Sequence, residues 1–372
     1  MPPESISPGV YVEEVPSGVR SISGAATAMT AFIGAALRGP TNRAVPVRRF
    51  AEYEQRFGGL SGKLELGYAL HQFFLNGGTD AWVVRVAQRP SVAQVGKALR
   101  GLDAVELFNL LVLPGISDAL TLQAAADYCV RRRAFLIVDP PADAQAPSRI
   151  AQVLSSGALP RTSHAALYYP RVLIVDPVTG QVRRAAPSGT IAGLMARIDR
   201  TRGVWKVPAG LEASLAGVQG LEYSLSDAEN GQLNPQGINC LRKLPAAGII
   251  AWGARTLAGN SEFNYIPVRR LALFLEQSID RGTQWAVFEP NGEPLWAKLR
   301  LSIVGFLQGL FRQGAFRGAT PKDAYFFKCD SQTTTPEDIA RGIVNLFVGF
   351  APLKPAEFVV LKLQQRAGQN GP

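Results

Sequence analysis

Histidine is scarce in this chain, with His71 and His164 the two among 372 residues, and that scarcity removes most imidazole chemistry. A triad or a His-based metal centre needs an imidazole held beside its partners. Neither histidine sits in an elbow or triad motif. His71 falls in an apolar helical stretch, where it is expected to pack. His164 precedes Ala165-Ala166-Leu167 and is expected at a strand edge. Cysteine is equally sparse: Cys129, Cys240 and Cys329 are odd in number and far apart, which fits reduced buried thiols better than a disulfide framework. No metal, cofactor or catalytic residue is assigned.

Other absences narrow the function further. Residues 1–7 carry Glu4 and no Lys or Arg, so the basic head of a secretory signal is missing. The longest weakly polar stretch, residues 25–37, is far shorter than the roughly 20 apolar residues that cross a bilayer. Gly62-Lys63 is followed by Leu64, with Phe57 where a P-loop has its first glycine, so phosphates find no cradle there. Pro114-Gly115-Ile116-Ser117-Asp118 lacks the second and third glycines that admit a pyrophosphate. Internal repeats and low-complexity tracts are absent as well.

What is present is a folded, basic chain. Hydrophobic residues make up 47% and charged residues 18%, with a net charge of +10, a globular composition long enough for two or three packed units. Residues 131–206 hold twelve Lys or Arg against four Asp or Glu. Such an excess wants an acidic partner. No aromatic stacking pattern accompanies the arginines, so an acidic protein surface is expected rather than nucleic acid.

Periodicity gives an α/β order. Residues 30–37 and 81–86 read as apolar strands flanking a helix at 61–75. A βαβ unit follows, with strands at 110–113 and 135–138 about a helix carrying Leu122, Ala125, Ala126 and Cys129 on one face, which implies parallel strands. Strands are expected at 165–169, 172–175 and around Val182, then a helix at 188–200. Residues 203–244 are rich in Gly, Pro and Asn and read as loops with one short strand near 221–225. A second unit is expected to begin after Gly248, with a strand at 249–252 and helices opened by Pro267 and Pro294. Its sheet would use residues 324–328, 343–350 and 357–363. Near the start, residues 10–15 form a strand with no local hairpin partner. Asp139-Pro140 and Asp176-Pro177 end apolar strands, where α/β enzymes often keep carboxylates. Chain stops, with the carboxylate accepting local amide bonds, are the favoured reading.

Several strings, in order, resemble one family. They are Ser7-Pro8-Gly9-Val10-Tyr11-Val12-Glu13-Glu14, Thr30-Ala31-Phe32-Ile33-Gly34, Arg38-Gly39-Pro40 and Asn76-Gly77-Gly78-Thr79 with Val83-Val84-Arg85-Val86. Further on come Gly203-Val204-Trp205-Lys206-Val207-Pro208-Ala209-Gly210, Leu233-Asn234, Gly237-Ile238-Asn239 and Trp252-Gly253-Ala254-Arg255-Thr256-Leu257. Tyr265-Ile266-Pro267-Val268-Arg269-Arg270 and Pro355-Ala356-Glu357-Phe358 complete the set. Together they resemble the contractile tail sheath proteins of phages, R-type tailocins and extracellular injection systems.

The resemblance implies an α/β and α+β protein. Its parts would be an N-terminal arm (1–24), a mixed-sheet, subtilisin-like but non-catalytic core (25–245), a tube-facing C-terminal α+β domain (246–355) and a C-terminal arm (356–372). It implies a structural subunit, made and assembled in the bacterial cytoplasm, that forms stacked rings of six in a helical lattice and contracts to drive an inner tube through an envelope. Its partners would be further copies of itself, the tube, the baseplate and the tail terminator, with no nucleic acid and no membrane insertion. Arms of this family add strands to neighbours, which makes Val10, Tyr11, Val12 and Val15, and Phe358, Val359, Val360, Leu361 and Leu363, the exchange candidates. Lys298, Arg300 and Arg312 are the tube-facing candidates. The alternative is an α/β hydrolase-like enzyme.

Overall fold

The computed structural model describes residues 20–259 and 261–355. Two compact units emerge, a larger one of Ala25–Gln277 with the stretch from Pro352, and a smaller one of Ser278–Ala351 with residues 20–24.

The larger unit opens with β1 (Thr30–Ala35), β2 (Ala44–Val47), α1 (Phe50–Phe57), α2 (Glu65–Leu75), β3 (Ala81–Val86) and α3 (Val92–Gly101). Next come β4 (Leu110–Val112), α4 (Ala119–Arg132), β5 (Phe135–Val138), α5 (Pro147–Ser155), β6 (Ala165–Tyr169), β7 (Val172–Val175), β8 (Val182–Ala185) and α6 (Ser188–Arg202). It ends through β9 (Val218–Leu221), α7 (Asp227–Leu233), β10 (Ile238–Leu244), β11 (Gly248–Ala251) and most of α8 (Ile266–Gly282).

Its main sheet has the order β11-β10-β6-β5-β4-β1-β3-β2. From β10 to β3 the neighbours are parallel, while β11 and β2 close the edges antiparallel. Crossover helices cover both faces, as parallel connections require. Phe32, Val83, Leu110 and Ile137 pack with Leu70 and Phe73 of α2 and with Ile191, Leu194 and Met195 of α6. The alternate residues Ile33, Val84, Leu111 and Leu136 pack with Val95 and Leu99 of α3 and Leu122 and Cys129 of α4. A separate antiparallel sheet, β8-β7-β9, stands beside this layer.

Glycine sets how closely α2 and α6 approach. A Cβ on Gly189 would lie 2.2 Å from the Ala69 carbonyl oxygen, and one on Gly193 would lie 2.3 Å from that of Phe73. The C-terminal half of α6 is tied to α8 by Asp199, which accepts from Arg270 at 2.6 and 2.9 Å; both side chains are almost wholly buried.

Three sequence expectations change here. The boundary between residues 245 and 246 falls inside the β10–β11 hairpin, whose strands belong to the main sheet, and the division into units lies instead at Gln277/Ser278, within α8. Residues 203–244, read largely as loop, contain α7 and β10; the Gly, Pro and Asn residues there punctuate short elements. Helices α1 and α3 and strand β2 add to the expected order, and Pro46 hides β2 in the sequence although an edge strand tolerates it.

The smaller unit holds the end of α8, then α9 (Glu293–Arg312), α10 (Pro321–Ala324), β12 (Tyr325–Lys328), α11 (Pro336–Ala340) and β13 (Phe347–Phe350). β12 and β13 pair antiparallel as a two-stranded sheet. Leu295, Trp296 and Leu299 of α9 form a core with Cys329, against which Trp285, Phe327, Val344 and Leu346 pack. The third strand expected for this sheet, at 357–363, lies outside the described residues.

Because a Cβ on α6 would meet backbone, Gly189→Ala and Gly193→Ala are each expected to lower stability by about 3 kcal/mol or more. Gly96→Ala, in a roomy part of α3, should be neutral or stabilising by up to about 1 kcal/mol. Urea unfolding midpoints of the three variants check this ordering.

Candidate functional site

The carboxylates that end apolar strands are tied to distant segments. Asp139, after β5, accepts from the Ser188 amide at 2.8 Å, the Ser188 hydroxyl at 2.7 Å and the Gly115 amide at 3.1 Å. It therefore pins the start of α6 and the turn after β4, rather than making the local bonds expected. Burial pushes its pKa up, opposed by Arg171 and by these donors. Asp176, after β7, accepts from its own turn at the Val178 amide (2.8 Å), as expected, and also from the Tyr68 hydroxyl of α2 (2.8 Å). Burial works to raise its pKa, but the amide, hydroxyl and Arg183 contributions outweigh it and hold the carboxyl below its ordinary range.

Asp139 and Ser188 form a serine–carboxylate pair, so the imidazoles decide whether it could act as a relay. His164 precedes β6 and its Nδ1 lies 3.1 Å from the Ala134 carbonyl, before β5. In a parallel pair that is the opposite end of the strands from Asp139. His71 packs edge-to-face on Phe50 at 5.0 Å, with its Nδ1 buried and without a hydrogen-bond partner. The structure does not bring either imidazole into hydrogen-bond reach of Ser188, and nucleophile activation needs a base there.

The crevice where the strand order reverses, between β1 and β4, is the usual ligand position in open α/β sheets. Here Glu65 approaches Gly115 so closely that a Cβ would meet its Cγ at 2.9 Å, and Asp139 holds the Gly115 amide. The Gly115 amide is thus already taken and its surroundings filled, which leaves no free backbone cradle for a phosphate at that position. All three cysteines are buried and free; burial raises the Cys240 thiol to about 12 and Cys329 to about 11. Among the described residues no group of three or more His, Cys, Asp or Glu could hold a metal ion, and no helix is long and apolar enough to cross a membrane.

The smaller unit presents a different kind of surface. Lys298, Leu301, Gly305 and Arg312 share the exposed side of α9 by helical spacing. Arg300 points elsewhere, donating to the Cys329 carbonyl and pairing with Glu293, so its charge is largely spent inside the unit. Phe326 and Phe347, on paired strands, are 62% and 55% exposed. The strand-exchange candidates Val10, Tyr11, Val12, Val15, Phe358, Val359, Val360, Leu361 and Leu363 lie outside the described residues.

Residues 92–257 match the phage tail sheath protein central domain. The tail sheath protein of Burkholderia phage BcepMu is 31% identical over 47% of this chain and 37% of its own length. A prophage major tail sheath protein of Pseudomonas aeruginosa (strain UCBPP-PA14) is 25% identical over 69% of this chain and 65% of its own. The alignments thus span less than two thirds of either curated relative. The sheath complex of an extracellular contractile injection system (PVC), in its contracted state, is 29% identical with a TM-score of 0.81, covering 97% of this chain and 98% of that one. The likeness to contractile tail sheaths, carried in the sequence by short strings, therefore holds at the level of the fold over nearly the whole chain. Sheaths are structural proteins, and the mixed α/β architecture is theirs.

One pH dependence follows from His71. Burial lowers its pKa, with Glu54 opposing, so the neutral form supports the fold. That stability is present above about pH 6.5 and is lost as pH falls toward the depressed value. His71→Leu, which cannot charge, should gain on the wild type by up to about 1.4 kcal/mol per pH unit below that point. Denaturant midpoints at pH 7.5, 6.5 and 5.5 measure the gap; a constant gap would contradict it.

Proposed function

We propose that this chain is the sheath subunit of a contractile tail or injection particle, polymerising with copies of itself as stacked six-membered rings around an inner tube. The observation that carries this reading is the β12–β13 sheet. Its strands pack against α9 through Phe327, and both outer edges of the pair lack a partner strand among the described residues, leaving rows of main-chain groups that a further strand can pair. The sequence supplies an apolar strand pattern at each chain end, at 10–15 and 358–363. Strand addition between copies would satisfy both. Four or five main-chain hydrogen bonds at about 1 kcal/mol net each make a link of several kcal/mol whose roots stay flexible. Such links are head to tail and do not close along the axis, so they build a helical polymer.

On this reading the larger unit is the subtilisin-like core used as a scaffold. Contraction is a move between two packings of the same subunits, favoured because the shorter lattice buries more surface between them. Lys298 and Arg312 supply a salt-sensitive contact to an acidic tube, while Arg300 holds α9 to the residue after β12. Baseplate and terminator proteins would cap the two ends of the polymer, which is put together in the bacterial cytoplasm.

Trimming residues 1–20 and 356–372 is expected to abolish tubes in electron micrographs while leaving a folded subunit; normal tubes from the trimmed chain would reject strand exchange. Lys298→Glu with Arg312→Glu should detach the sheath from its tube at a lower salt concentration than wild type. Unchanged salt sensitivity, read by co-sedimentation, would reject the tube assignment.

A further inference from the structure

The smaller unit displays an aromatic anchor, and the larger unit contains a cavity of matching size and chemistry. Phe288 is fully exposed and holds a backbone φ of 70°, a left-handed conformation that a bulky L residue avoids unless its surroundings impose it. The surroundings do so. Trp285 and Ala286 pack on the α9 core, and the Val287 and Glu289 amides donate to the Gln284 and Ala286 carbonyls at 3.2 Å each. Asn291 both accepts from Trp296 Nε1 and donates to the Ile343 carbonyl, each at 2.9 Å. Val287, 62% exposed, stands beside Phe288 in the chain. A rigid turn that spends backbone strain to present an aromatic residue to water has the properties of an interface anchor, because little ordering remains to be done on binding.

The cavity, of about 260 Å³, is lined by Val207, Ala209, Pro235, Trp252, Ala254 and Pro355, with Asn230 among the polar residues. A dry apolar cavity of about 150 Å³ already admits benzene, so a phenyl ring fits with room for a flanking methyl. The Oδ1 of Asn230 is buried without a hydrogen-bond partner, and a backbone amide arriving with the ring would satisfy it. Charge agrees as well. Glu289 follows Phe288 and is exposed, and Lys354, exposed, adjoins Pro355 at the cavity wall.

We infer that Phe288 of one copy seats in the Trp252 cavity of another, with Glu289 facing Lys354, as a contact between subunits separate from strand exchange. A knob and a hole on different surfaces of one chain make a heterologous contact, which propagates rather than closing a dimer. The inference rests on the proposed polymer, since two copies must meet in a fixed geometry.

Cysteine cross-linking tests it, with little background because the native thiols are buried. Full-length Phe288→Cys chains are mixed with Trp252→Cys chains under polymerising conditions and oxidised with copper–phenanthroline. A reducible dimer that neither variant forms alone is expected. The rim pair Glu289→Cys with Lys354→Cys should give the same dimer without disturbing the cavity. Phe288→Ala should raise the protein concentration needed for tubes by about tenfold or more. Wild-type tubes together with no mixed dimer from either pair would overturn this contact and leave the sheath reading standing. A wild-type chain that forms no polymer would overturn the sheath reading and this contact with it.

Discussion

Six parallel strands at the centre of the larger unit are buried on both faces, and this burial constrains everything attached to them. Parallel neighbours need crossover connections, and a sheet apolar on both sides needs helices on both. The helices must then lie close, which explains why α6 carries Gly189 and Gly193 where it crosses α2. Two buried asparagines bolt segments of this layer together. Asn76 donates to Ala216 O and accepts from Ala216 N, and Asn239 does the same across Leu167 and Arg255. Both asparagines belong to strings that carried the family resemblance, so part of that resemblance records how the layer is locked.

The same constraint decides what can be read in advance. Strands β1, β4, β5 and β6 are legible because burial on both faces leaves apolar runs, β3 because Arg85 is its one charged residue, and α4, α6, α8 and α9 because each keeps an apolar stripe. Elements at the margins are not. β2 contains Pro46, and β10 places Arg242 and Lys243 in its solvent-side half. Asp139 shows a different limit. Its type and its place after a strand are visible, but its donors lie 24 and 49 residues away, and such distances are a property of the topology. The smaller unit's division inside α8 is equally hidden, since a helix carries no mark where its neighbours change.

Charge transfers least well from sequence to surface. The basic excess of residues 131–206 suggests an outward-facing patch, yet many of its arginines turn inward. Arg132 donates to Leu102 and Val105 carbonyls, Arg197 to Asn76 and Ser214, and Arg171 to Pro140. Guanidinium groups have five donors and saturate carbonyls at loop ends, so an arginine count overstates the free positive surface. The same correction applies on α9, where Arg300 is engaged while Lys298 and Arg312 remain exposed.

If copies of this chain assemble as proposed, the locked layer of the larger unit leaves reversible assembly to weaker and more repeatable contacts. A strand added to β12 or β13 offers hydrogen bonds indifferent to side-chain sequence and tolerant of rotation at its roots, which suits a link that persists while subunits rearrange. A phenyl ring in a cavity is the opposite kind of contact, specific in geometry and lost on a shift of a few ångströms. The proposed polymer, if it shortens, would need both, one to keep neighbours connected and one to distinguish its lattice states. The strained turn at Phe288 and the open cavity at Trp252 suit the second role because each is preformed, so the contact can be made or broken without reorganising either fold.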